Sequence, residues 1–150
     1  MRTLLAAAAF AALSVSAQAA TITDSATIAT AFTNYATTAT VSQFDGSLGT
    51  LNSVTVTLEG IATGEANAES LDAAPTTLTL NLAATIVASF AGSELVAVVP
   101  TVSVSNDVDA FDGVIDFGGT SGFGTGLITG TATDSNTLTT ALAPFIGTGT

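Results

Sequence analysis

The chain of 150 residues carries twelve Asp and Glu against a single Lys or Arg, with no His, Cys or Trp, for a formal net charge of −11. Because the one basic side chain is Arg2, the remainder offers no imidazole, thiolate, lysine amine or guanidinium, which excludes most acid–base and nucleophilic chemistry. A negative field with no cationic surface also excludes nucleic acid and phosphate groups as ligands.

In chain order, the first element is a leader. Met1-Arg2 forms a short positive region, Leu4 to Val15 an apolar stretch rich in Ala, and Ala17-Gln18-Ala19 an A-x-A site. The apolar run is shorter than the ~18 residues of a membrane span. The sequence therefore predicts a secretory signal peptide over 1–19, cleaved between Ala19 and Ala20. Residues 20–150 are then a single exported domain, secreted or held at the cell surface. Loss of Arg2 takes that domain to −12. Without cysteine it has no disulfides, and roughly 130 residues suffice for one unassisted core. With 47% hydrophobic and only 9% charged residues, the composition is the opposite of a disordered chain.

The elements that follow read as strands. Thr21 to Thr30 and Ala36 to Phe44 come first. They lead to a turn at Phe44-Asp45-Gly46-Ser47, with Asp45 as its cap, Gly46 at positive φ, and Leu48 and Leu51 pointing inward. Val54, Val56 and Leu58 alternate with Thr55, Thr57 and Glu59, and Gly60 marks a bulge. Glu65 to Pro75 is a loop or short helical turn. Thr77 to Phe90 gives the clearest period-two pattern, with Leu78, Leu80, Leu82, Ala84, Ile86, Ala88 and Phe90 on one face and a bend near Ala83-Ala84. Pro100 splits a run from Glu94 to Ser105. Further strands are predicted at Val114 to Phe117, Gly126 to Thr133 and Thr137 to Leu142. No helix-period segment and no fixed repeat occurs, so the predicted fold is an all-β antiparallel β-sandwich, jelly-roll or Ig-like.

Three stretches invite a chemical reading. Asp107, Asp109, Asp112 and Asp116 place four carboxylates beside a Gly turn, a set that would hold Ca²⁺ with weak, extracellular-type affinity. Their spacing does not match an EF-hand loop, and a solvated turn whose Asp side chains cap their own backbone accounts for them as well. Paired carboxylates also occur in glycosidases, but twelve acids make many pairs, and sugar platforms are scarce with no Trp and one Tyr, Tyr35. Gly118 to Gly126 lacks the Lys and helix of a phosphate loop and reads as a turn. Recurring Thr-x-Thr pairs, such as Thr55/Thr57 and Thr77/Thr79, would form an ice-binding hydroxyl array if a repeat kept them in register. No such repeat exists, and strand propensity explains them.

Gln43-Phe44-Asp45-Gly46-Ser47-Leu48-Gly49-Thr50-Leu51, Phe111-Asp112-Gly113-Val114-Ile115-Asp116-Phe117-Gly118-Gly119, and Phe145-Ile146-Gly147-Thr148-Gly149-Thr150 together resemble the choice-of-anchor E domains of bacterial exported proteins. Gly46 stands where that family often has Pro. The resemblance implies a surface or matrix protein with a variable C-terminal sorting signal, often a Pro-Glu-Pro motif followed by a membrane segment and basic tail. It brings no catalytic residue and no cofactor. It also leads one to expect more strands beyond Thr150, so that the domain is C-terminally incomplete and its last strand an open edge for self-association. The expected function is an exported, non-enzymatic structural module of the cell surface or extracellular matrix. The alternative is a Ca²⁺-dependent adhesion or glycan-binding module whose partner is a surface polysaccharide.

Overall fold

The computed structural model describes residues 20–150, and the leader predicted over 1–19, Ala19 included, lies outside the described residues. Eight strands follow one another: β1 (Val54–Gly64), β2 (Asn67–Glu69), β3 (Thr76–Ala83), β4 (Ile86–Phe90), β5 (Ser93–Val98), β6 (Thr101–Val108), β7 (Gly122–Gly124) and β8 (Ile128–Leu138). They form an all-β antiparallel sandwich. A four-stranded sheet runs β1-β8-β6-β3, accompanied by two ribbons, β2-β7 and β4-β5. No helix among the described residues is long and apolar enough to cross a membrane.

The alternation of the sequence sets the faces of the sheet. β3 alternates half-buried and exposed residues along its length, with Leu78, Leu80 and Leu82 inward. Its ladder is interrupted at Ala84-Thr85, where the Ala84 amide donates to the Pro100 carbonyl at 3.2 Å, while the alternation continues into β4 with Ile86 and Ala88 inward. Pro100 is itself fully buried and separates β5 from β6, since it supplies no amide to a ladder. Opposite β3, β6 turns Val102, Val104 and Val108 inward.

The four-stranded sheet is in effect two long ribbons that meet at a point. β1 and β8 pair along their whole length, from Val54↔Leu138 to Gly64↔Ile128. β3 and β6 pair from Thr76↔Val108 to Ala83↔Thr101. Between the ribbons there is only one register pair, Thr101↔Thr131. Gly130 makes that junction possible: a Cβ there would fall 2.7 Å from the Thr101 carbonyl carbon and 2.9 Å from its nitrogen, both backbone atoms that cannot move aside. The sheet curls enough that the far end of β1 returns to β3, where a Cβ on Gly64 would lie 3.4 Å from Leu82 Cδ1.

The β4-β5 ribbon covers the inner face of β1 and β8. It sits directly on Gly60, where a Cβ would meet Val98 Cγ2 at 2.6 Å and Ile86 Cδ1 at 2.9 Å. Asn136 Nδ2 of β8 donates to the Leu95 carbonyl of β5 at 2.7 Å, a polar tie between the two layers. Val96 and Val98 of β5, Ala62 of β1 and Val108 of β6 are the buried apolar core, while the Leu and Val side chains of β3 and the first half of β1 stay half-buried.

Several expectations are corrected. Thr21 to Thr30 and Ala36 to Phe44 are not strands; residues 20–42 are exposed backbone without a ladder. Val114 to Phe117 is loop, because its amides turn to Asp side chains instead of a neighbouring strand. Gly126 to Thr133 and Thr137 to Leu142 are largely one strand, β8. That strand is flanked on both sides, so the open edges of the sheet belong to β1 and β3. At the Phe44 turn, Asp45 caps as expected, its Oδ1 accepting the Ser47 amide at 2.8 Å. The turn is a 3-10 turn over Gly46–Leu48, however, and the residue at positive φ is Gly49, at 141°. Leu48 consequently points outward and is 68% exposed.

Two substitutions of opposite sign follow from this geometry. Gly130→Ala drives a methyl into the Thr101 backbone and should cost about 1–3 kcal/mol, read as a lower urea midpoint. The two-residue turn between β4 and β5, Ala91-Gly92, holds both residues at positive φ (50° and 81°), as a type I′ turn requires. Ala91→Asn replaces a residue that is strained there by one that tolerates it. It should raise stability by roughly 1 kcal/mol in the same titration.

Candidate functional site

The four carboxylates proposed for Ca²⁺ divide between a strand and a loop. Asp107 lies on the outer face of β6, where its Oδ1 accepts the Thr77 hydroxyl of β3 at 2.6 Å. Asp109 is exposed just past the strand, held through its amide to the Thr120 carbonyl at 2.9 Å. Asp112 and Asp116 each close a small turn, accepting the amides of Val114 and Gly118, both at 2.9 Å. These two lean over adjacent glycines. Asp112 Oδ2 approaches the position a Cβ would take on Gly119, and Asp116 Oδ1 lies 3.4 Å from that of Gly118. Among the described residues, no three His, Cys, Asp or Glu side chains gather in a group that could hold a metal ion.

What the loop is built around is a pair absent from the sequence expectations, Glu69 and Ser121. Ser121 is fully buried, and its hydroxyl donates to Glu69 Oε1 from the β7 side across to β2. The same Oγ accepts the Asp112 amide at 3.3 Å, and the Ser121 carbonyl accepts the Ser70 amide at 2.9 Å. Phe111 completes the corner, donating its amide to the Asp72 carbonyl at 2.8 Å. Glu69 Oε2 is buried with no hydrogen-bond partner among the described residues. No local signal marks this pair: Ser121 sits in a Gly-rich run and Glu69 at the end of the three-residue strand β2, within a stretch read as loop or helical turn, and the contact spans 52 residues.

A second constellation joins two of the stretches that carry the family resemblance. The Phe44 amide donates to the Phe145 carbonyl at 2.8 Å, Gly147 returns its amide to Phe44, and Gln43 donates its amide to Gly149. Gln43 Nε2 also reaches the Pro144 carbonyl at 3.0 Å. The Phe145 ring stacks on Phe90 of β4 with centroids 5.2 Å apart, which fastens this clasp to the β4-β5 ribbon. Hydrogen bonds from Ser47 hold the adjacent Asp45 carboxyl below its ordinary value, and those from Ser42, then Ser25, do the same for Asp24.

The third feature is the outer face of the four-stranded sheet. Antiparallel register, and not a repeat, brings hydroxyls opposite one another on it. Thr55 meets Thr137 at 2.8 Å, Thr63 meets Thr129 at 3.0 Å, and Thr79 meets Ser105 at 2.9 Å. The concavities of the described residues are shallow: about 260 Å³ beside Pro75, Thr77 and Asp107, and about 250 Å³ between the β4-β5 turn and the segment around Phe145.

Comparison of the chain with protein-family models, with curated proteins and with solved structures found no match. Chemistry must therefore be argued from these residues alone. The arrangement can tie loops together and present hydroxyls. Seven of its carboxyl groups, those of Asp24, Asp45, Glu69, Asp107, Asp112, Asp116 and Asp134, accept hydrogen bonds from amides or alcohols.

Removing the Ser121 hydroxyl tests the corner. Ser121→Ala leaves both oxygens of a partly buried carboxyl and the Asp112 amide short of a partner. It should lower stability by about 1–3 kcal/mol. The paired change Ser121→Ala with Glu69→Leu should recover most of that loss in the same denaturant titration, because both partners are then apolar.

Proposed function

We propose that the chain is an exported, non-enzymatic structural module of a bacterial cell surface or extracellular matrix. The observation that carries this reading is how its polar side chains are used. Four carboxyl groups, those of Asp45, Asp107, Asp112 and Asp116, accept amides and a hydroxyl at turns and a strand pair, and hydroxyls of the sheet face bond one another. The leader-like segment ending at Ala19 and the resemblance to choice-of-anchor E domains support export and a surface or matrix setting. The absence of any basic side chain after Arg2 supports a role without acid–base or nucleophilic turnover.

A second reading, a Ca²⁺-dependent adhesion or glycan-binding module, is favoured by one observation: Asp112 and Asp116 lean over neighbouring glycines of one loop. With at least four further oxygens from carbonyls or water to reach the six to eight that Ca²⁺ takes, such a pair would hold it weakly.

The two readings separate in one series of measurements. Expressed with its leader in a bacterial host, the chain should be recovered outside the cytoplasm with Ala20 as its first residue; retention inside with the leader intact overturns export. The purified product should turn over none of a panel of polysaccharides, esters and peptides. Turnover that disappears when two carboxylates are neutralised overturns the structural reading. A melting temperature unchanged by millimolar Ca²⁺ after chelation removes the second reading, whereas a rise lost in Asp112→Asn with Asp116→Asn establishes it.

A further inference from the structure

Residues 20–42 are an extended stretch folded back on itself near Asn34, which takes φ 66° at the bend. Asp24 ties the two arms by accepting the Ser42 amide at 2.7 Å. Every residue of the stretch is exposed, and among the described residues none of its backbone groups enters a backbone–backbone hydrogen bond. Its apolar side chains are exposed too, Ile22 by 58%, Tyr35 by 51%, Val41 by 50% and Phe32, next to the bend, by 97%. The stretch contains no Gly or Pro and one charge, Asp24. Those are the properties of a segment that adds to a sheet.

The sheet has an edge to match. β1 is its longest edge strand, eleven residues against eight in β3, and its only charged residue is Glu59. The Gly64 end of β1 folds against Leu82 of β3, which leaves the Val54–Leu58 half accessible. At that half, where Val54 pairs with Leu138, lies the groove of about 250 Å³ lined by Phe90, Leu95, Leu138, Pro144 and Phe145, with Glu94 as its one charged residue.

We propose that residues 20–42 of one copy add as a strand to the open edge of β1 in a second copy, with Phe32 seated in the groove beside Leu138. The stretch itself argues for a second copy as the occupant: its backbone enters no backbone–backbone hydrogen bond in its own copy, and its composition is that of a strand. Two chains each near −12 repel least where acids are sparse; the stretch and the edge strand carry one each, and the groove adds Glu94. Size agrees, since about two dozen residues make one side of a standard interface of roughly 20 to 30 residues. The donated strand supplies main-chain hydrogen bonds, and the aromatic side chain supplies the anchor. Because each copy both gives a stretch and offers an edge, the contact repeats head to tail or closes by exchange between two copies. This deepens the structural reading by naming the contact through which such a module assembles.

The test is sedimentation velocity on the chain from Ala20 over a range of concentrations at 0.15 M and 0.5 M NaCl, with hydrogen exchange on the same samples. Concentration-dependent association should appear and strengthen with salt as the charges are screened. Phe32→Ser and, separately, Ala39→Pro should raise the concentration needed by at least about tenfold. Both should leave the melting temperature of the monomer unchanged, since the stretch has no partner there. Amides of Val54–Leu58 should exchange more slowly in the assembled sample. A chain that stays monomeric throughout overturns the proposal, as does assembly unaffected by both substitutions or protection gained on β3 instead of β1. A monomeric chain that also turns over nothing overturns strand addition alone, whereas turnover overturns the structural reading whatever the state of assembly.

Discussion

Twelve carboxyl groups share this chain with one basic side chain, at Arg2, so almost none of them can be stabilised by an ion pair. Each must find N–H or O–H donors or stay in water. The described structure answers, for about half of them, with hydrogen bonds from amides and hydroxyls, some local and some between elements far apart in sequence. Asp45, Asp112 and Asp116 accept amides two residues on, Asp24 accepts Ser25 and Ser42, and Asp107 and Glu69 accept the hydroxyls of Thr77 and Ser121. The abundance of Ser and Thr follows from the same constraint. Hydroxyls supply the donors that Lys and Arg supply elsewhere, without the long flexible stems and without attracting anions.

The constraint also shapes the layers. With few long side chains to fill space, the elements approach until backbone meets backbone. Gly130 lies against Thr101 where the two long ribbons join, and Gly60 receives Val98 and Ile86 of the covering ribbon. The resulting core is thin, and much of the apolar face of β3 and β1 remains half-buried. Polar ties such as Asn136 to Leu95 and the part-buried Ser121 to Glu69 then matter more than they would under a thick hydrophobic layer, because they fix ribbons that apolar burial alone holds loosely.

How far this was legible in the sequence depends on the range of the interaction. The alternation from Thr77 to Ala88 fixes the faces of β3 and β4, but a register shift between Ala88 and Ser89 leaves Phe90, read as inward, exposed; Pro100 marks the break before β6, because side-chain period and a missing amide act locally. The cap at Asp45 is equally local. Strand propensity alone misleads over 20–44, where Thr, Ile and Val suggest strands but no neighbouring strand is available to complete a ladder. It misleads again at Val114 to Phe117, where Asp112 and Asp116 draw the backbone into turns. Leu48 reads as core by its type, and only the 3-10 turn that precedes Gly49 sends it outward. The Glu69–Ser121 corner has no local signature, since it depends on β2 pairing with β7 across 52 residues.

The hydroxyl face shows why long-range register changes the meaning of a local pattern. Read along one strand, Thr-x-Thr reflects a preference for pleated backbone. Read across β1 and β8, it becomes pairs of hydroxyls within hydrogen-bond distance, each partly satisfied by the other. Such a face offers little free donor capacity and no aromatic platform. The net negative charge holds other copies of the chain away from it. Adhesive capacity in this fold is thereby confined to places where the backbone is unpaired and acids are few. Those are the edges of the sheet and the extended stretch before Gln43, which is why the proposed contact joins an edge to that stretch and leaves the hydroxyl face free.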